Sequence, residues 1–141
     1  MLKAPLEILN LHDDGFHLLV EVIVFNTVFK AVVDTGASRT VFDKTTVETY
    51  IDQATLQASD KLSTGLGTNS MESHTLIIPE LVIAELIIVN FEIAVLDLSM
   101  INTAYESLNI GPIIGVIGGD ILMKYKATVS YSLKRLSFNV K

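Results

Sequence analysis

The stretch that most constrains this chain is Val32-Val33-Asp34-Thr35-Gly36-Ala37-Ser38-Arg39-Thr40-Val41. Two β-branched valines read as a strand end, Asp-Thr-Gly forces a turn, and Thr40-Val41-Phe42 resumes an extended apolar run. A carboxylate is thereby held on a tight loop between two apolar strands. A second stretch, Ile113-Ile114-Gly115-Val116-Ile117-Gly118-Gly119-Asp120-Ile121-Leu122, carries a strand into glycines that permit close backbone approach. Asp120 then falls where a helix begins, a place favoured for a carboxylate by free N–H groups and the helix dipole.

The 141 residues fit a single domain over 1–141 with chain enough for a sizeable core. Half the residues are hydrophobic and only 18% are charged, which argues against disorder. A net charge of −6 and scattered basic residues argue against nucleic acid, because neutralising phosphates needs clustered Lys and Arg. No cysteine is present, so disulfides, thiolate metal sites and a Cys nucleophile are all excluded. His12, His17 and His74 lack paired spacing for a metal and read as ordinary surface residues; no metal or cofactor is expected. The N-terminus lacks an apolar signal core, and the longest apolar run, Leu81 to Val89, is interrupted by Glu85. No membrane partner and a cytoplasmic location are the expectations.

The periodicities predict a mainly β chain of around nine strands with one or two short helices. Residues 16–33 read as a hairpin broken at Asn26-Thr27, a weak turn because Thr resists positive φ. Asp43 is suited to cap a helix running to about Ile51, and residues 52–61 read as loop. Residues 62–79 read as a hairpin with a small, polar tip at Gly65-Leu66-Gly67, Leu81-Val82-Ile83 and residues 87–96 as two further strands, and residues 102–109 as a loop or a helical turn or two. Residues 127–140 alternate as a closing hairpin.

The Asp34-Thr35-Gly36 loop, the helix-like stretch after it, the glycine-bearing tip and the Val116-Ile117-Gly118 element occur in an order that resembles the retropepsin-like aspartic proteases. The closing hairpin looks more like the bacterial and cellular single-domain members than the viral ones. The resemblance implies a mainly β, closed acid-protease barrel with Asp34 catalytic. It further implies that Thr35, Gly36, Ala37 and Ser38 support the active-site loop. Gly36 would offer its N–H to the carboxylate and Thr35 its hydroxyl to a partner loop. Gly65, Leu66 and Gly67 would form a flap, with Val116, Ile117 and Gly118 as the second glycine element.

Hydrolysis of peptides by carboxylates takes two of them close enough to share one proton. Asp-Thr-Gly occurs once, and the look-alike Asp13-Asp14-Gly15 lacks the hydroxyl. The second Asp34 must therefore come from a second copy, which predicts a homodimeric endopeptidase acting on a peptide or protein substrate. Asp120 reads as a helix-capping residue and Asp97 as a strand-end surface residue. Viral members carry an acidic residue at the place of Ser38 and an Arg at that of Gly119, so the ion pair that braces their site is missing. Ala37 stands where pepsin-like enzymes have Ser or Thr, which removes a hydrogen bond to the carboxylate and predicts activity at less acidic pH than pepsin. The competing expectation is a non-catalytic dimeric module that kept the fold and binds peptides without turnover.

Overall fold

The computed structural model describes residues 1–12, 15–51, 57–58, 74–110 and 113–140. The expected flap residues Gly65, Leu66 and Gly67 lie outside the described residues. In chain order the elements are β1 (Leu2–Asn10), β2 (Phe16–Val24), β3 (Thr27–Val33), β4 (Val41–Asp43), α1 (Lys44–Tyr50), β5 (Gln57–Ala58), β6 (His74–Ile83) and β7 (Leu86–Leu96). They continue with α2 (Ser99–Glu106), β8 (Ile113–Ile117), α3 (Gly119–Lys124), β9 (Thr128–Ser130) and β10 (Arg135–Phe138).

The hairpin of β2 and β3 builds the wall that delivers Asp34. Its turn lies one residue earlier than the sequence suggests: Phe25 and Asn26 both take positive φ, 55° and 57°, and Thr27 already pairs with Val24. The reason is steric. Thr27 is β-branched and avoids positive φ, whereas the strain at Phe25 is offset by stacking of its ring on Tyr50 at 5.2 Å.

Pairing runs from β2 to β3, β8, β4, β7 and β6, and β6 returns to β2 through Ile23↔Val82 and Val24↔Leu81. The six strands close a barrel, which leaves no open edge among them. Its interior is filled by Val20, Val22 and Val24 from β2 and Ala31 and Val33 from β3, which alternate along their strands, together with Ile78, Ile83, Ile93 and Ile117. At about 1.5–3 kcal/mol for each large aliphatic side chain removed from water, this cluster supplies most of what holds the fold. α1 adds Val47 to it, α3 adds Ile121 and Leu122, and β10 adds Leu136 and Phe138.

β1 was not evident from the sequence. Its first half pairs with β10 and its second half with β2, the change falling between Pro5 and Leu6. Ala4, Leu6 and Ile8 alternate inward, but Pro5 breaks the strand signal at the place where the partner changes. The segments 74–79 and 81–83, expected in separate elements, form one continuous β6 through the exposed Pro79. α2 likewise begins earlier than expected, at Ser99. No helix among the described residues is long and apolar enough to cross a membrane.

Two smaller clusters lie on the outer face of the barrel under α2. One joins Val41, Ala94, Leu96 and Leu98. The other joins Leu19 of β2, Tyr105 of α2 and Ile113 of β8, with Val32 and Ile101 packed against it. His17 and Leu19 of β2 therefore face α2 while Leu18 and Val20 face the barrel interior, as the two-residue period of a strand requires. The α2 face is the one on which Asp34 emerges.

Candidate active site

β3 and β4 are joined by only residues 34–40, yet β8 lies between them, parallel to β3 and antiparallel to β4. The connection must span two strand spacings, about 10 Å, across the end of β8. That forces the chain of β8 hard against the loop. A Cβ on Gly115 would stand 1.9 Å from the Val41 carbonyl oxygen, and one on Gly118 would stand 2.5 Å from that of Arg39. Only glycine fits either place, which explains the second glycine element in physical terms.

The loop is held at both ends. At its start the Asp34 N–H donates to the Ile117 carbonyl at 3.1 Å, and the Gly36 N–H donates to Asp34 Oδ1 at 2.8 Å. In its middle the Gly119 N–H donates to the Ala37 carbonyl at 2.8 Å. At its end Thr40, fully buried, donates its hydroxyl to Asp120 Oδ1 at 2.7 Å and its N–H to Asp120 Oδ2 at 2.9 Å. The Thr40 hydroxyl also accepts the Gly118 N–H at 3.1 Å. Asp120 does lie in the first turn of α3, but capping is not its main part. Gly118 holds the N-cap position, and both oxygens of Asp120 brace the loop. Thr40 was not singled out from the sequence, because nothing local distinguishes a buried threonine with two partners from a strand threonine.

Asp34 is partly exposed, Thr35, Gly36 and Ser38 are exposed, and Ala37 is buried. The loop thus presents its carboxylate and the Thr35 and Gly36 apex outward. Val116 and Ile117 are buried behind it in β8, and Gly118 touches it from below. The site residues expected in these two stretches come together; those of the flap fall outside the described residues.

A cleft of about 380 Å³ opens at Asp34, walled by Phe16, His17, Val32, Thr35, Val129 and Tyr131 among others. His17 is not the free surface residue expected. The β2–β3 register pairs Leu19 with Val32, and two residues further on it sets His17 opposite Asp34 on the α2 face. His17 Nδ1 lies 2.6 Å from the Tyr105 hydroxyl, with the rings edge to face at 6.0 Å. Burial, and then the nearby Asp34 charge, push the Tyr105 hydroxyl above the usual tyrosine pKa, so it stays protonated. The register was the signal that could have found His17, had the hairpin turn been placed correctly.

A closed six-stranded barrel whose crossed loop carries Asp-Thr-Gly defines a retropepsin-like fold. Two solved structures share it. The retroviral protease-like domain of Ddi1 from Leishmania major is 17% identical at TM-score 0.62, over 89% of this chain and 90% of that one. A retropepsin-like aspartic protease from Rickettsia conorii is 22% identical at TM-score 0.59, over 96% of this chain and 94% of that one. No curated protein matches the chain significantly. Residues 20–121 match the aspartyl protease family, and the chain belongs to that family.

Proposed function

We propose that the chain is an aspartic endopeptidase that works as a homodimer, with one Asp34 from each subunit forming the catalytic pair. The observation that supports this most is the outward presentation of Asp34 on a rigid loop whose apex, Thr35 and Gly36, is exposed. Asp120, the acid that stands close by in the chain's own fold, is committed to Thr40 through both oxygens. A second loop of the same kind, brought up across a two-fold axis, supplies the missing acid.

Two carboxylates so placed share one proton, since both cannot stay ionised in contact. The ionised Asp34 takes a proton from a bound water as its oxygen attacks the scissile carbonyl carbon. The protonated Asp34 gives its proton to the carbonyl oxygen. The tetrahedral intermediate then collapses with cleavage of the C–N bond: one of its two hydroxyls returns a proton to the pair as the acid carbonyl forms, and the departing nitrogen takes a proton from the pair, which is left with the single proton it began with. An extended peptide, held by backbone hydrogen bonds, suits the cleft at Asp34.

The test is cleavage of unfolded casein from about pH 3 to about pH 7 by the wild type and by Asp34→Asn. Cleavage by the wild type and none by a normally folded Asp34→Asn supports the reading. Cleavage that survives in Asp34→Asn refutes the mechanism, and peptide binding without cleavage by the wild type identifies a non-catalytic module.

A further inference from the structure

Outside the barrel, β1, β10 and β9 form a small sheet whose two faces differ. Ala4, Leu136 and Val129 lie in one row and turn to the core, while Lys3, Ser137 and Thr128 form one outward row and Pro5, Arg135 and Ser130 the next. Lys3 and Arg135 are thus diagonal neighbours on the outer face, about 7–8 Å apart. Lys126 and Lys134 stand at its two ends. The Asn139 N–H donates to the Tyr125 carbonyl at 2.9 Å, which sets Lys126 beside the end of β10, and the Lys134 carbonyl in the β9–β10 turn accepts the Leu6 N–H at 2.9 Å. No acid balances these cations: none of them makes an ion pair with a described residue. Glu7 of β1 is held by Lys30 at 2.7 Å, and Asp120 of α3 is committed to Thr40. Residues 121–141 contain five cations and no Asp or Glu although the chain's net charge is −6, so the preceding residues carry −11. Holding like charges together costs stability, and the chain supplies no counter-charge to offset it.

We propose that this outer face is an exosite for an acidic segment of the protein substrate, bound beyond the cleft at Asp34. This rests on the peptide-cleavage reading and names the class of substrate it favours. β9 connects the two places. Among the described residues it pairs with β10 alone, so its other edge is open. Val129 turns to the core side and, with Tyr131 at the turn, walls the cleft at Asp34, while Thr128 and Ser130 turn to the basic face. A chain leaving the cleft over the β9 edge meets Arg135 one strand further on. The edge offers backbone hydrogen bonds, the Thr128 and Ser137 hydroxyls add neutral donors, and the cations select the sign of the partner. β10 is four residues long, about 13 Å, which matches a short extended segment with a few carboxylates. A longer polyanion, such as nucleic acid or an anionic membrane surface, also meets the −11 carried by the rest of the chain, so the short acidic segment is the better fit.

The test separates binding from turnover. Amide NMR spectra of the isotope-labelled protein are titrated with a peptide of alternating Glu and Ser and with its Gln-Ser twin, at about 20 mM and about 200 mM salt. The Glu peptide moves the signals of Lys3, Thr128, Ser130, Arg135 and Ser137 and, at the lower salt, binds at least about tenfold tighter than the twin. The advantage shrinks at the higher salt. Lys3→Gln combined with Arg135→Gln removes most of it, with signals away from the small sheet unchanged as proof of folding. Arg135→Lys, which keeps the charge, retains it, and Lys44→Gln, which removes a cation of α1, leaves it unaltered. Equal binding of the two peptides, shifts confined to other surfaces, or an undiminished advantage in the double variant overturns the exosite. Tighter binding of phosphatidylserine vesicles or of a single-stranded oligonucleotide, lost in the same double variant, overturns the acidic peptide as its occupant. Appending the Glu-Ser stretch to a cleaved peptide lowers KM at least about threefold with kcat unchanged, and the double variant abolishes the difference. If the Glu peptide binds this face and nothing is cleaved, the face stands and the catalytic reading fails; if cleavage occurs with a KM indifferent to the acidic stretch, the catalytic reading stands and the exosite fails.

Discussion

Replacing Thr40 with valine tests how the loop that carries Asp34 is held. The substitution keeps the shape of a fully buried side chain and removes only the hydroxyl. Two interactions are lost: donation to the Asp120 carboxylate at 2.7 Å and acceptance from the Gly118 N–H at 3.1 Å. A hydrogen bond to a charged group contributes about 1.5–3 kcal/mol, and a buried N–H left without an acceptor costs about 1–3 kcal/mol. The Thr40 N–H and Ile121 N–H bonds to Asp120 remain, so the carboxylate is not left bare and the lower half of the sum applies. The expected loss is about 3 kcal/mol, or a fall in Tm of about 10 °C for a chain of this length. Urea unfolding followed by circular dichroism should show a lower midpoint with an unchanged slope. A loss below about 1 kcal/mol would refute the bracing of the loop by the Thr40 hydroxyl.

Other consequences follow from the same geometry. Gly115→Ala places a methyl 1.9 Å from the Val41 carbonyl and should destabilise by about 3 kcal/mol or more, visible in the same unfolding assay; near-neutral behaviour would contradict the close crossing of β8 under the loop. The Asp97 carboxyl is held below the usual carboxylate range, first by the Ser99 N–H and then by the Ser99 hydroxyl. A depressed folded-state pKa means its contribution is present above the ordinary aspartate value and is lost as pH falls through the lowered one. Amide exchange at Ser99, at the start of α2, should therefore quicken relative to the barrel strands below about pH 4 and not on raising the pH from neutral. With a buried Ala37 rather than a hydroxyl beside the site, the pH–rate profile should peak well above the most acidic range; a maximum near about pH 2 would contradict that reasoning.

Much of this was legible because the informative residues are local. Val32-Val33-Asp34-Thr35-Gly36 announces a strand, a turn and a carboxylate within five positions, and Asp43 caps α1 through the Thr46 N–H as its spacing suggests. What escaped depends on pairing rather than on neighbours. Placing the hairpin turn at Asn26-Thr27 rather than Phe25-Asn26 shifts the register by two, which sets His17 opposite Gly36 instead of Asp34. β1 escaped because Pro5 interrupts the alternation of Ala4, Leu6 and Ile8 at a change of partner. The bond between Thr40 and Asp120 joins residues 80 positions apart, and no periodicity reports such a contact.

The proposal that one Asp34 comes from each of two chains is tested most directly by subunit mixing. Wild type and Asp34→Asn are combined in equal amounts, allowed to exchange fully, and assayed for cleavage at fixed total protein. A site that needs both carboxylates leaves about a quarter of the wild-type rate, because random pairing makes one dimer in four fully wild type. A residual rate of about one half, the simple dilution of an enzyme whose site lies within one chain, would contradict it.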